Sequence, residues 1–93
     1  NQKEYVISKQ ILRSGTSIGA NVNEALCSIS KKEYLSKMYI SYKEASESQY
    51  WLELLKESNY INECEFDYLN KKCEELRRIL SSITKTTKES LNS

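Results

Sequence analysis

Histidine and proline are absent from this 93-residue chain, and glycine occurs only at Gly15 and Gly19. Each absence removes a class of chemistry or structure. Without histidine there is no Glu-x-x-His pair for a di-iron bundle, no His-dependent triad and no zinc site of the usual His or mixed kind. The two glycines supply neither a phosphate-binding loop nor a dinucleotide fingerprint. With no proline, and no glycine after residue 19, only capping chemistry and short polar stretches can punctuate the chain, which favours long helices over hairpins. No run approaches the roughly 20 apolar residues of a membrane span, and no signal-peptide core is present. The expectation is a soluble cytoplasmic protein with no membrane partner. Cys27, Cys64 and Cys73 are an odd number without Cys-x-x-Cys spacing, so they read as reduced thiols rather than disulfides or metal ligands. The chain starts at Asn1 rather than Met, as expected of a segment inside a longer reading frame.

The length fits one domain over residues 1–93, and a domain this small buries only about 60–65% of its unfolded surface. From Tyr5 to Ile29 the residues Ile7, Ile11, Ile18, Val22, Ala25 and Ile29 recur at helical spacing, predicting one helix. Gly15 and Gly19 lie inside it, each costing about 1 kcal/mol against alanine, and close approach of another helix is the compensation expected. A competing reading breaks this helix at Ser14-Gly15-Thr16-Ser17. Ser30-Lys31-Lys32-Glu33 has the form of a capping box and starts a second helix. Its stripe is Leu35, Met38, Tyr42, Ala45, Gln49 and Leu52, widened by Tyr39, Trp51 and Leu55, and it ends near Ser58-Asn59. Asn62 followed by Glu65 repeats the cap and opens a third helix with the stripe Phe66, Leu69, Cys73, Leu76, Leu80 and Ile83. Short connections make the three helices run up, down and up, and the class is all-α. Tyr50, Trp51 and Leu54 turn partly away from the main seam, so a fourth helix or a neighbouring subunit is expected over them.

Net charge is only +1, but it is unevenly spread. Residues 1–43 carry seven basic and three acidic groups, residues 44–67 one and seven, residues 68–93 six and three. Lys71, Lys72, Arg77, Arg78, Lys85 and Lys88 crowd the third helix, and most of them share one broad face able to track a phosphate backbone. Arg13, Lys9, Lys31 and Lys32 extend that surface if the helices abut. No aromatic interleaving and no helix-turn-helix pattern accompany these cations, so sequence-specific base reading is not expected. Solvated helix surface is the bland alternative. Glu44 and Glu47 lie three apart on one helix face without any group to complete a catalytic constellation. Arg13, Asn21 and Glu24 are read either as buried or inter-subunit hydrogen-bonding groups or as plain surface.

The stretch Ser8-Lys9-Gln10-Ile11-Leu12-Arg13-Ser14-Gly15-Thr16-Ser17-Ile18-Gly19-Ala20-Asn21-Val22-Asn23-Glu24-Ala25 closely resembles the signature of the bacterial four-helix bundle proteins, also called 23S rRNA intervening-sequence proteins. Lys43-Glu44-Ala45 followed by Tyr50-Trp51-Leu52, and the Lys85-Thr86-Thr87-Lys88 tail, add to the similarity, which spans nearly the whole chain. The resemblance implies an antiparallel up-and-down four-helix bundle, with the family's first helix missing or truncated before Tyr5. It also implies assembly as a homo-oligomer, often a ring-like pentamer. A further implied kinship is with the accessory variability determinant of diversity-generating retroelements, which binds nucleic acid and a reverse transcriptase through a basic surface.

Residues and resemblance together lead to one expectation. The protein is a non-enzymatic bundle without cofactor or metal, which oligomerises and offers a basic surface to RNA or DNA. Arg13, Lys71, Lys72, Arg77, Arg78, Lys85 and Lys88 are the candidate contacts. Gly15, Gly19, Tyr50, Trp51 and Leu54 are the candidate packing or subunit residues. The rival is a purely structural or protein-interaction bundle, for example an accessory subunit of a reverse transcriptase, with its charges serving solubility and register.

Overall fold

The computed structural model describes residues 2–93, which form three helices and their connecting turns; no strand occurs among the described residues. The helices are α1 (Gln2–Leu26), α2 (Lys31–Glu57) and α3 (Glu63–Leu91). α1 runs unbroken through Ser14-Gly15-Thr16-Ser17, so the competing two-piece reading fails. Thr16 donates its hydroxyl to the Leu12 carbonyl at 2.9 Å, and Asn21 donates to the Ser17 carbonyl at 2.9 Å, so the polar side chains bond back along the helix instead of diverting it.

Local chemistry fixes the ends. The Ser30 hydroxyl accepts from the Glu33 amide at 3.0 Å, the serine half of the expected box. Asn62 forms the complete reciprocal pair: its side chain accepts from the Glu65 amide at 2.7 Å while the Glu65 carboxylate accepts from the Asn62 amide at 2.9 Å. α2 ends at Glu57 with Ser58 as its cap, and the next residue, Asn59, has a left-handed φ of 62°. There the Asn59 amide donates to the Lys56 carbonyl and the Tyr60 amide to the Leu55 carbonyl, closing a Schellman turn. Ile29 departs from the expected stripe. α1 ends at Leu26, and Ile29 sits in the turn with 98% of its surface exposed.

α2 is the central element. Both α1 and α3 pack along it, while no Cα of α1 comes within 8 Å of one in α3. Contacts run in opposite order along each pair. Arg13 meets Glu44 and Glu47, the Ile18 carbonyl accepts from Ser41, and Glu24 meets Lys37. Gln49 meets Asn70 and Glu74, and Lys31 meets Ser90. Ile18, Ala25, Met38, Ala45 and Leu80 form the buried core, with Val22, Tyr34, Tyr42, Leu76 and Ile83 packed against it.

The close α1–α2 approach uses residues that hydropathy passes over. Ser14 and Ser41 are fully buried and Ser48 nearly so. Ser41 donates its hydroxyl to the Ile18 carbonyl at 3.1 Å, which removes the cost of burying it. The close approach expected at Gly15 and Gly19 does not occur within the chain, because a Cβ placed on either meets nothing within 4 Å. Both face away from α2, on the side that also presents Leu12, 71% exposed. A concave apolar cleft of about 250 Å³ remains between α1 and α3, lined by Ser8, Ile11, Leu52, Leu55, Leu69 and Cys73.

Candidate nucleic-acid interface

The basic residues of α3 do not act as one stripe. Lys71, Arg78 and Lys85 are exposed and lie at intervals of seven, two helical turns each, so they share its outer face. Lys72 projects sideways, its ammonium 5.6 Å from the centre of the Tyr68 ring. Arg77, expected among the phosphate contacts, instead lies half-buried in the α2–α3 seam. Its Nη2 donates to Glu74 at 2.7 Å. The bond to Glu74 raises the Arg77 pKa, and the same bond, seconded by Gln49, holds the Glu74 carboxyl below its ordinary range. Arg13 is likewise engaged, donating to Glu47 at 2.8 Å and to Gln10 at 3.1 Å, with Glu44 at 3.5 Å. Its charge is cancelled by α2. The Glu44 and Glu47 pair thus pins α1 to α2.

Lys85 and Lys88 converge with Lys32 of α2 on a groove of about 600 Å³ between α2 and α3, at the end where α2 starts. Leu35, Ser36, Tyr39, Ser81 and Thr84 complete its walls, and no carboxylate lines it. None of the three ammonium groups is paired with an anion among the described residues, whereas Lys37, Lys56, Arg13, Arg77 and Arg78 all are. Tyr39, expected to widen the apolar stripe of α2, instead stays exposed and brings an aromatic ring to the groove from the other helix. The signal for it in the sequence is its place one turn after Leu35 on the half of α2 that faces α3.

At the opposite end the chemistry reverses. Gln49, Tyr50, Glu53, Leu54, Glu57 and Asn70 surround a depression of about 380 Å³ that carries two carboxylates. Tyr50, 57% exposed, meets Trp51 edge-on with centroids 5.1 Å apart, and the Trp51 indole donates to Glu47 at 3.2 Å. Two of the three expected packing aromatics and aliphatics therefore border an acidic hollow, and Trp51 leans toward the α1 contact. Cys27, Cys64 and Cys73 are free, and burial pushes the Cys73 thiol upward in pKa.

Residues 1–82 match the family model for the 23S rRNA-intervening sequence protein. The chain belongs to that family. A solved structure of a family relative, a protein of unknown function from the S23 ribosomal protein family of Bacteroides thetaiotaomicron, is 48% identical. It superposes with a TM-score of 0.86 over 91% of this chain and 79% of its own. No curated protein matches the chain.

Proposed function

We propose that this protein is a non-enzymatic, cytoplasmic helical bundle that binds RNA or DNA through the groove between α2 and α3. The observation that carries the proposal is the convergence of Lys32, Lys85 and Lys88 on a concave surface without any carboxylate. Three exposed ammonium groups at one end of a molecule whose net charge is +1 concentrate positive potential where a polyanion can reach it. The apolar cleft bounded by Leu52, Leu55 and Leu69 supports the finer fold reading, an antiparallel up-and-down four-helix bundle with its fourth helix seated there. The exposed face with Leu12, Gly15 and Gly19 supports assembly into a homo-oligomer, a pentamer on the family pattern.

The experiment is triple charge reversal, Lys32→Glu with Lys85→Glu and Lys88→Glu, followed by binding to a structured RNA at low salt. Affinity falls about tenfold or more while helicity and native mass stay unchanged. Wild-type protein that binds no nucleic acid, or a variant that binds as well as wild type, overturns the proposal. A second reading is favoured by the acidic hollow around Tyr50, Glu53 and Glu57. In it the bundle is a protein-interaction module, for instance an accessory to a reverse transcriptase, with partners of basic surface. Substituting Tyr50→Ala with Glu53→Lys then abolishes partner capture while RNA binding is kept.

A further inference from the structure

Three unpaired lysines attract any polyanion, whether duplex or single strand. The Tyr39 ring discriminates between them. Tyr39 lines the same groove and leaves 52% of its surface exposed. It is not a loose side chain. Its ring is backed by Tyr42, with centroids 6.1 Å apart and planes inclined at 36°. Tyr42 is itself half-buried and packed against the core cluster of Ile18, Ala25, Met38, Ala45 and Leu80. The core-packed Tyr42 ring therefore buttresses Tyr39 on one side, and the exposed part of Tyr39 lines the groove. An aromatic surface fixed before binding loses little rotamer entropy when a ligand covers it.

A base inside a duplex is already stacked on both faces and has no π-surface to offer. An unpaired base has one, and stacking on an aromatic side chain is favourable for every base type. The cations lie where the neighbouring phosphates would be. Lys32 approaches from the α2 wall, and Lys85 and Lys88 from the α3 wall at a spacing of three residues, about 5–6 Å between their Cβ atoms.

We infer that the α2–α3 groove takes an unpaired stretch of nucleic acid, one base stacked on Tyr39 and the adjoining phosphates held by Lys32, Lys85 and Lys88. This rests on the electrostatic reading of the groove and adds the substrate class. RNA and DNA single strands share the chemistry that this site recognises.

The test is fluorescence anisotropy with a labelled oligouridylate, its deoxy counterpart and a blunt RNA duplex of equal length, for the full chain and for Tyr39→Phe and Tyr39→Ala. Wild type and Tyr39→Phe prefer the single strands. Tyr39→Ala weakens single-strand binding about tenfold or more and leaves duplex binding unchanged. Equal ribo- and deoxyribo-affinity supports recognition of base and phosphate alone, and a ribo-preference lost in Tyr39→Ala supports the same stacked complex with a 2′-hydroxyl contact. Salt-dependent binding that ignores strandedness and ignores Tyr39→Ala overturns the stacking inference and leaves the basic-groove reading standing. No binding of any probe at low salt overturns both. Displacement of the single strand by polyglutamate at equal charge concentration, or a native mass altered by Tyr39→Ala, also overturns it, since the groove is then an acidic-peptide or subunit site.

Discussion

Asn59 turns the chain at the end of α2 with a φ of 62°, a conformation that costs most L-residues roughly 1–2 kcal/mol and asparagine less. Replacing it with alanine should lower stability by about 1 kcal/mol, and Asn59→Gly should restore or exceed the original value; thermal melts of the two variants decide it. Glu74 provides a pH test. Its folded pKa is depressed from 4.5, chiefly by the Arg77 hydrogen bond. A depressed carboxylate stabilises the fold fully above its unfolded pKa, and the contribution is lost as pH falls through the lower folded value. The melting temperatures of wild type and Glu74→Gln should therefore differ most near pH 7 and converge in acid, below the ordinary carboxylate range. A constant gap across that range contradicts the assignment. Caps and polar pairs differ in how far the sequence reveals them. Ser30 and Asn62 act on residues three positions away, so their roles can be read locally, while Arg13 finds Glu44 and Glu47, and Gln49 finds Asn70 and Glu74, on other helices and by register.

At the scale of the helix, the 3.6-residue period located all three elements within a few residues, because each carries an apolar stripe long enough to outweigh local polar residues. What the period could not distinguish was the two working sides of α2. One side meets α1 through Ser41, Glu44 and Glu47, the other meets α3 through Gln49. Buried serines carry no hydropathic signal, whereas glycines in a helix draw the expectation of close approach to themselves. Gly15 and Gly19 have open space where a Cβ would stand. For a monomer, Gly15→Ala and Gly19→Ala should each stabilise by up to about 1 kcal/mol through helix propensity, raising Tm by about 4–8 °C per kcal/mol. A falling Tm together with a smaller native mass would mean that another copy packs on this face of α1.

On the molecular scale, the principal extents of 48 × 21 × 14 Å describe a slender three-rod body with opposite charge chemistry at its two ends. The charge split along the chain made that polarity readable in advance. The composition of the basic end was not, because Lys32 and Tyr39 reach the groove from a helix far away in sequence from Lys85 and Lys88. Among the described residues no helix is long and apolar enough to cross a membrane. Native mass spectrometry combined with the 260/280 nm absorbance ratio should reveal an assembly of several copies together with co-purified nucleic acid. A monomer with a protein-like absorbance ratio contradicts that expectation.

The most direct measurement is the affinity for single-stranded RNA across a salt series, made side by side on wild type and on the Lys32→Glu, Lys85→Glu, Lys88→Glu variant. Each phosphate neutralised contributes about −0.7 to the slope of log affinity against log salt for single strands. Three lysines in contact thus predict a wild-type slope steeper than the variant's by about 2 per groove. Identical slopes, or no wild-type binding even at the lowest salt, would contradict the account.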